Sequence, residues 1–234
     1  AIKIELTGND ATNYDVYYRV HAEDFGWLGW AKNGEASGTS GQGKRLEAIQ
    51  VMIKEKGNQA PGSTFYRYVE YGKVTTNTSN ALGLVNYTTH VQDQGDQNYV
   101  ADGSLSGTMG MGKRLESIKI NLANQSIAGG ITYRTHVQSI GWQEWKTDGN
   151  PSGTSGQGLR LEAIEIKLTG SMANQYDVYY RVHAQDYGWL GWAKNGSPAG
   201  TAALSKRLES IQILVLPIGS EPPLGNGNPP FVQG

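Results

Sequence analysis

Four histidines, four Arg-Leu-Glu triplets and three tryptophan pairs are the side chains of this sequence whose types could do chemistry. His21, His90, His136 and His183 each stand 24 residues before an arginine, at Arg45, Arg114, Arg160 and Arg207. A glutamate follows each arginine two positions on, at Glu47, Glu116, Glu162 and Glu209. Histidine with carboxylate could hold a metal or run acid–base catalysis, but the spacing speaks against both. The histidines lie at least 46 residues apart, without a second ligand at metal-binding spacing. A triad or a carboxylate pair needs members in distinct roles, and equivalent copies supply none. The expectation is a chain without cofactor, metal or enzymatic activity, each histidine hydrogen-bonding within its own repeat.

Arginine and glutamate two residues apart share one face of a strand, and a guanidinium can fork a carboxylate. Their parity is that of the apolar Ile49, Val51 and Ile53. Unless a bulge intervenes, the glutamate points at the core and needs the arginine as donor. The pairs Arg45–Glu47, Arg114–Glu116, Arg160–Glu162 and Arg207–Glu209 are therefore read as structural, as are the four histidines. The Gly-Thr-x-Gly turns lack the Gly-Lys-Ser/Thr ending of a phosphate loop, and glycine there serves chain reversal.

All six tryptophans fall in one pair of slots, as Gly26-Trp27-Leu28-Gly29-Trp30, Gly141-Trp142-Gln143-Glu144-Trp145 and Gly188-Trp189-Leu190-Gly191-Trp192. The second copy reads Gly95-Asp96-Gln97-Asn98-Tyr99. An aspartate does not replace a core tryptophan, so Trp27, Trp142 and Trp189 are expected to be partly exposed and to contact a ligand. Indole faces stack on the polarised C–H groups of sugars or anchor a protein partner. Trp30, Trp145 and Trp192, replaced by Tyr99, are expected to line the same site while taking more of the core packing.

A repeat positions these residues. Counting from each histidine, a tyrosine lies three residues before it (Tyr18, Tyr87, Tyr133, Tyr180) and glycines lie 5, 13 and 17 after it. Threonine follows at 18 and isoleucine at 28. Such repetition means one supersecondary unit reused, its apolar faces covered by its neighbours. Each unit of about 47 residues reads as three short antiparallel strands. Val16–His21 is β-branched and aromatic, the Trp-x-x-Trp segment follows, and Arg45–Ile53 alternates with period two. Thirty-two glycines and thirteen tyrosines fit an all-β chain with tight turns.

Twenty basic against 21 acidic residues leave a net charge of −1, so no field draws nucleic acid or anionic lipid. No apolar run approaches the ~18 residues of a membrane span. The absence of cysteine removes disulfides and thiolate chemistry. The chain opens inside a strand-like pattern, Ala1-Ile2-Lys3-Ile4-Glu5-Leu6, without a signal peptide, as a mature product or an excised fragment would.

The spacing of the histidines is uneven at 69, 46 and 47 residues. Residues 14–34 and 176–196 differ at two of 21 positions, and Ala1–Gly8 matches Ala163–Gly170. Residues 1–56 therefore read as one repeat plus the last strand of a preceding one, and 57–84 as a linker or insertion. Residues 85–216 read as a complete pseudo-threefold triplet, prism-like or trefoil-like, and 217–234 as a Pro/Gly-rich tail or linker. Phe65–Tyr71 is a strand with no assigned partner.

The run Tyr-x-x-His-Val-Gln-x-x-Gly-Trp-x-x-Trp, Gly-Thr-Ser-Gly-Gln-Gly, Arg-Leu-Glu-Ala-Ile-Glu-Ile, fullest between Tyr133 and Ile166, resembles the clostridial hydrophobic-with-tryptophan (ChW) repeat. The resemblance implies an exported protein of a Gram-positive bacterium, secreted or at the cell surface. Such repeats come in threes beside hydrolases or adhesive modules. It also implies binding of polysaccharide or of extracellular protein. Repeat two departs at both tryptophans, and repeat four has Ala203 and Ser205 where the others have glycines, so its turn is expected to differ. Multivalent carbohydrate attachment through the tryptophans is the leading expectation. The alternative is a structural or adhesive repeat that mediates protein contacts or self-association through an unpaired strand.

Overall fold

The computed structural model describes residues 1–234 apart from 24, 42, 59, 62–63, 65–66, 71–83, 124, 221 and 223–226. It is all-β, and the helical structure among the described residues is two 3-10 turns, Asn9–Thr12 and Ser171–Asn174. The described residues up to 70 form one compact unit, and those from 84 onward form another.

Each repeat is built on two long antiparallel strands. The first are Tyr14–Ala22, Val85–Val91, Gly129–Val137 and Tyr176–Ala184; the second are Leu46–Glu55, Leu115–Leu122, Leu161–Gly170 and Leu208–Pro217. The β-branched and aromatic runs of the first strands and the alternating isoleucines of the second set this pairing. The middle strand expected around the tryptophans is instead two strands of two residues, such as Gly26–Trp27 and Ala31–Lys32, with an irregular excursion between them. One amide anchors each excursion: Leu28 to the Val20 carbonyl at 2.9 Å, Gln143 to Thr135 at 3.0 Å. In a continuous strand, residues three apart face opposite sides. The break lets both tryptophans turn to the same side.

A further short strand of each repeat crosses to a neighbour. In the second unit Ser106–Gly107 of repeat two pairs with Leu208–Pro217 of repeat four. Ser152–Gly153 of repeat three pairs with Leu115–Leu122 of repeat two, and Ala199–Ala202 of repeat four pairs with Leu161–Gly170 of repeat three. Strand donation thus runs in a closed cycle around the three repeats. It explains the glycine 17 residues after each histidine. Gly153 has φ +116°, and a Cβ on it would sit 2.3 Å from the Glu116 carbonyl oxygen. The tyrosine before each histidine seals the cycle: the buried Tyr133 hydroxyl donates to the Asn150 carbonyl at 2.5 Å and accepts the Ile120 amide of repeat two at 3.0 Å. Tyr87 accepts the Ile213 amide of repeat four at 3.1 Å. Between the sheets lies one core containing Ile118, Ile120, Ile164, Ile166, Ile211 and Ile213.

In the first unit, residues 1–6 take the place of another repeat's second long strand. Ile2 bridges Ser37 as Ile164 bridges Ala199, and the Gly34 amide reaches the Ile4 carbonyl at 2.8 Å as Gly196 reaches Ile166 at 2.7 Å. Ile2, Ile4 and Leu6 pack on Val16, Tyr18 and Ala31.

The two segments read as linkers each carry a strand. Tyr68–Glu70 pairs parallel with Gly38–Ser40, and Phe231–Gln233 pairs parallel with Ala199–Ala202. Both segments are tied alike at their start, by Tyr17 to the Asn58 carbonyl (2.8 Å) and Tyr179 to the Ser220 carbonyl (3.1 Å). The strand within Phe65–Tyr71 thus has a partner; residues 65, 66 and 71 lie outside the described ones. Parallel strands of three residues carry no alternation to betray them, and Pro229 and Pro230 directly precede the second of the two. The turn of repeat four does not differ as expected: Ala203 and Ser205 adopt φ 59° and 56°, where Gly156 and Gly158 have 72° and 72°.

Candidate functional site

The first long strand supplies a residue that joins the two tryptophans. Arg19 lies 4.9 Å from the Trp27 ring centroid and 4.9 Å from that of Trp30. Arg134 stands at 5.0 and 4.9 Å from Trp142 and Trp145, and Arg181 at 4.7 and 4.8 Å from Trp189 and Trp192. Each guanidinium is a cation shared by two electron-rich indole faces. Its Nε donates to the second long strand, Arg19 to Gln50 at 2.7 Å, Arg134 to Glu165 at 2.6 Å and Arg181 to Gln212 at 2.7 Å. In repeat three Lys167 also lies over Trp145, at 4.1 Å.

The histidine closes the other side of the first tryptophan. His21–Trp27, His136–Trp142 and His183–Trp189 meet edge to face at 5.5, 5.4 and 5.7 Å. Each of these histidines also faces the glutamate of its own Arg-Leu-Glu triplet. His21 Nδ1 is 3.0 Å from Glu47 Oε2 and hydrogen-bonded to it; His136 and His183 approach Glu162 and Glu209 to 3.1 Å without hydrogen-bond alignment.

In three repeats the glutamate is gripped by the arginine of its own triplet. Arg114, Arg160 and Arg207 each donate Nε to Glu116, Glu162 and Glu209 at 2.9 Å, with a second nitrogen within 2.8 Å. Arg45 is looser, 3.8 Å from Glu47 and 2.9 Å from Glu23. The pairing between the long strands slips at this glutamate, Leu115 opposing Val91 while Ser117 opposes His90. This bulge turns the carboxylate toward histidine and arginine rather than into the apolar core. The carbonyls of Glu116 and Glu209 accept the amides of Thr154 and Thr108 on crossing strands, at 2.7 and 2.8 Å. For Glu209, burial raises the carboxyl's affinity for a proton, but His183 and Arg207 outweigh it and hold the pKa below its usual value.

Repeat two replaces the whole set. Thr88 stands where the stacking arginine stands elsewhere, and its hydroxyl donates to the Gln97 carbonyl at 2.6 Å. Asp96 takes His90 Nδ1 at 2.7 Å and Lys119 Nζ at 3.2 Å. These two bonds keep the Asp96 carboxyl below the usual carboxylate range. Tyr99 is exposed.

The expected division between first and second tryptophan is not what the burial gives. Trp27, Trp142, Trp145 and Trp192 are half-buried, whereas Trp30 is 5% and Trp189 is 3% exposed. Trp189 lies beside the chain's last strand segment: Asn228 Nδ2 donates to its carbonyl at 3.0 Å, and the Gly191 amide reaches the Pro229 carbonyl at 3.1 Å. The sequence reading missed Arg19, Arg134 and Arg181. The signal was present, since the residue after the repeated tyrosine is arginine wherever the tryptophans are kept and Thr88 where they are lost.

No curated protein and no solved structure matches the chain. The family profile described as clostridial hydrophobic W matches residues 21–55, 90–124, 136–170 and 183–217, each span running from a histidine to the end of a second long strand or just past it. These spans make up more than half of the sequence, and the chain belongs to the clostridial hydrophobic W (ChW) repeat family.

Proposed function

We propose that the chain is a non-catalytic extracellular attachment module, and that it grips polysaccharide through the outward sides of its tryptophan–arginine–tryptophan stacks. The observation that carries this reading is the half-exposed indole set Trp27, Trp142, Trp145 and Trp192, each fixed beside a guanidinium. A rigid aromatic surface next to planar N–H donors suits a sugar, which presents C–H faces and hydroxyl rims. Three stacks on one chain give avidity without any single tight site. Trp30 and Trp189 drop out of the contact set because they are buried. The repeated glutamates and histidines are tied up, each glutamate facing an arginine and each histidine a carboxylate.

A protein partner is the second reading, favoured by one observation. Trp145 carries Arg134 and Lys167 over its ring, which leaves less indole face for a stacked sugar and more for the rim of a protein contact. Affinity electrophoresis through gels of neutral, acidic and amino-sugar polysaccharides tests the proposal. Retardation by at least one polysaccharide is expected, reduced by Trp142→Phe with Trp192→Phe and unchanged by Tyr99→Ala in repeat two. Mobility unaffected by every polysaccharide would reject it in favour of the protein partner.

A further inference from the structure

Among the described residues, repeats one and four hold an extended segment on the edge of their crossing strand, and the two segments are alike. In repeat four Phe231-Val232-Gln233 lies parallel to Ala199–Ala202, with the Gly200 amide donating to the Pro230 carbonyl at 2.9 Å. In repeat one Tyr68-Val69-Glu70 lies along Gly38–Ser40 in the same register, with the Gly38 amide donating to the Arg67 carbonyl at 2.8 Å. Each segment reads aromatic, valine, then glutamate or glutamine. The receiving repeats are alike too. Val20, Leu28 and Gly29 of repeat one match Val182, Leu190 and Gly191 of repeat four. Repeats two and three have Thr89, Gln97, Asn98 and Thr135, Gln143, Glu144 at these positions.

Repeat three shows what the polar set does. The Gln143 side-chain oxygen accepts the Gly153 amide at 2.7 Å, the amide equivalent to that of Gly200, and also accepts the Thr135 hydroxyl at 3.2 Å. Thr135 meets Ser152 at 2.9 Å, as Thr89 meets Ser106 in repeat two. The crossing strand of repeat three is thus sealed by a side chain of its own repeat. Leucine and valine carry no acceptor, which leaves the Gly200 amide to an incoming carbonyl. Glycine makes the room. A Cβ on Gly191 would lie 2.2 Å from the Asn228 carbonyl oxygen, and Glu144 brings a whole side chain to that place. The Gly191 amide takes the Pro229 carbonyl at 3.1 Å, and Val232 packs on the core that contains Val182 and Leu190.

We propose that repeat four is a docking site for an extended peptide, which it recognises by strand addition, and that residues 228–233 are its tethered occupant. The ligand class is a peptide that presents a backbone carbonyl followed by an aromatic residue, valine, and glutamate or glutamine. Valine, leucine and glycine at the three positions admit it, in repeat one as in repeat four. Threonine, glutamine and a side chain in place of the glycine exclude it. Recognition uses backbone amides and an apolar seat rather than the half-exposed indoles, so peptide docking and polysaccharide binding stand or fall separately.

A graft into repeat three of the whole chain tests the proposal. Thr135→Val, Gln143→Leu and Glu144→Gly remove the seal and open the room. The probe is a fluorescein-labelled peptide with the sequence of residues 227–234, Gly-Asn-Pro-Pro-Phe-Val-Gln-Gly. Fluorescence anisotropy is expected to show saturable binding to the grafted chain, at least ~10-fold tighter than to the parent, and lost with a peptide carrying Val232→Asp. The reverse exchange, Leu190→Gln with Gly191→Glu, is expected to free the tethered segment, the backbone order parameters of Phe231–Gln233 falling below ~0.6. That variant decides the matter should the graft fail to fold. A folded graft that binds the peptide no better than the parent, binding that survives the aspartate, or order parameters unchanged in the reverse variant would each overturn it.

Discussion

His90 and Asp96 are joined by a 2.7 Å hydrogen bond at the place where the other repeats set a tryptophan against the histidine. The second Asp96 oxygen takes Lys119, which occupies the position of Gln50, Glu165 and Gln212. Repeat two therefore holds a second solution to one local problem. Elsewhere a cation is shared by two indoles; here a carboxylate is shared by a histidine and a lysine. Loss of the tryptophans was compensated, so their absence does not by itself mark them as dispensable to the fold.

Asp96→Trp alone is expected to destabilise the second unit by about 1–2 kcal/mol, since it strands His90 and Lys119 and offers the new indole no guanidinium. Adding Thr88→Arg, Tyr99→Trp and Lys119→Glu rebuilds the set of repeat three and should recover most of that loss. Urea unfolding of the parent, single and quadruple variants measures both; additive losses in the quadruple variant would contradict the exchange.

The crossing strands make glycine obligatory at one position and merely convenient at another. Gly153→Ala places a Cβ 2.3 Å from the Glu116 carbonyl oxygen at φ +116°. It should cost more than about 3 kcal/mol. A Cβ on Gly156, at φ +72°, would meet open space out to 4 Å, so Gly156→Ala should cost only about 1 kcal/mol. Thermal unfolding of the two variants separates steric closure from backbone preference, and equal losses would deny the close crossing.

Repeat four carries left-handed strain that glycine would relieve. Ala203→Gly and Ser205→Gly, at φ 59° and 56°, should each stabilise by up to about 1 kcal/mol, the relief being offset by the larger entropy of glycine in the unfolded chain. A lowered melting temperature for both would show that this turn does not hold that conformation.

Acid should weaken both units through carboxylates held below their usual pKa. Hydrogen bonds from Lys32 and Asn33 outweigh burial and lower Asp15 from 3.8 to about 2, and His90 with Lys119 lowers Asp96. Groups with a depressed folded pKa add stability that is complete above the unfolded value and is lost as the pH falls through the folded one. Stability should be level from pH 7 to about 5 and decline from about 4 toward 2. Asp15→Asn should flatten that decline in the first unit, followed by the amide signals of repeat one. An unchanged slope would remove Asp15 from the account.

Much of this was legible in the sequence because it is written periodically. The long strands follow from the alternation of Ile164, Ile166 and Leu168, and the structural pairing of Arg160 with Glu162 from their spacing and repetition. The tryptophan site was legible only in part. Arg134, Trp142, Trp145 and Glu165 come from separate segments of the repeat, and nothing local tells that they meet. The clue was joint variation: Thr88, Asp96, Tyr99 and Lys119 all change in the same repeat. The crossing and capping strands were not legible, because segments of two to four residues show no alternation, and Pro229 and Pro230 disguise the strand that follows them.

The central claim is that the tryptophan pair and the arginine between it act as one unit of the fold. A double-mutant cycle on Arg134→Met and Trp145→Leu, read by urea unfolding followed through the amide signals of repeat three, tests it most directly. The two single losses are expected to overlap by about 1 kcal/mol or more, the share carried by the guanidinium–indole contact. Losses that add to within about 0.3 kcal/mol would show the two side chains to be independent and would contradict the account.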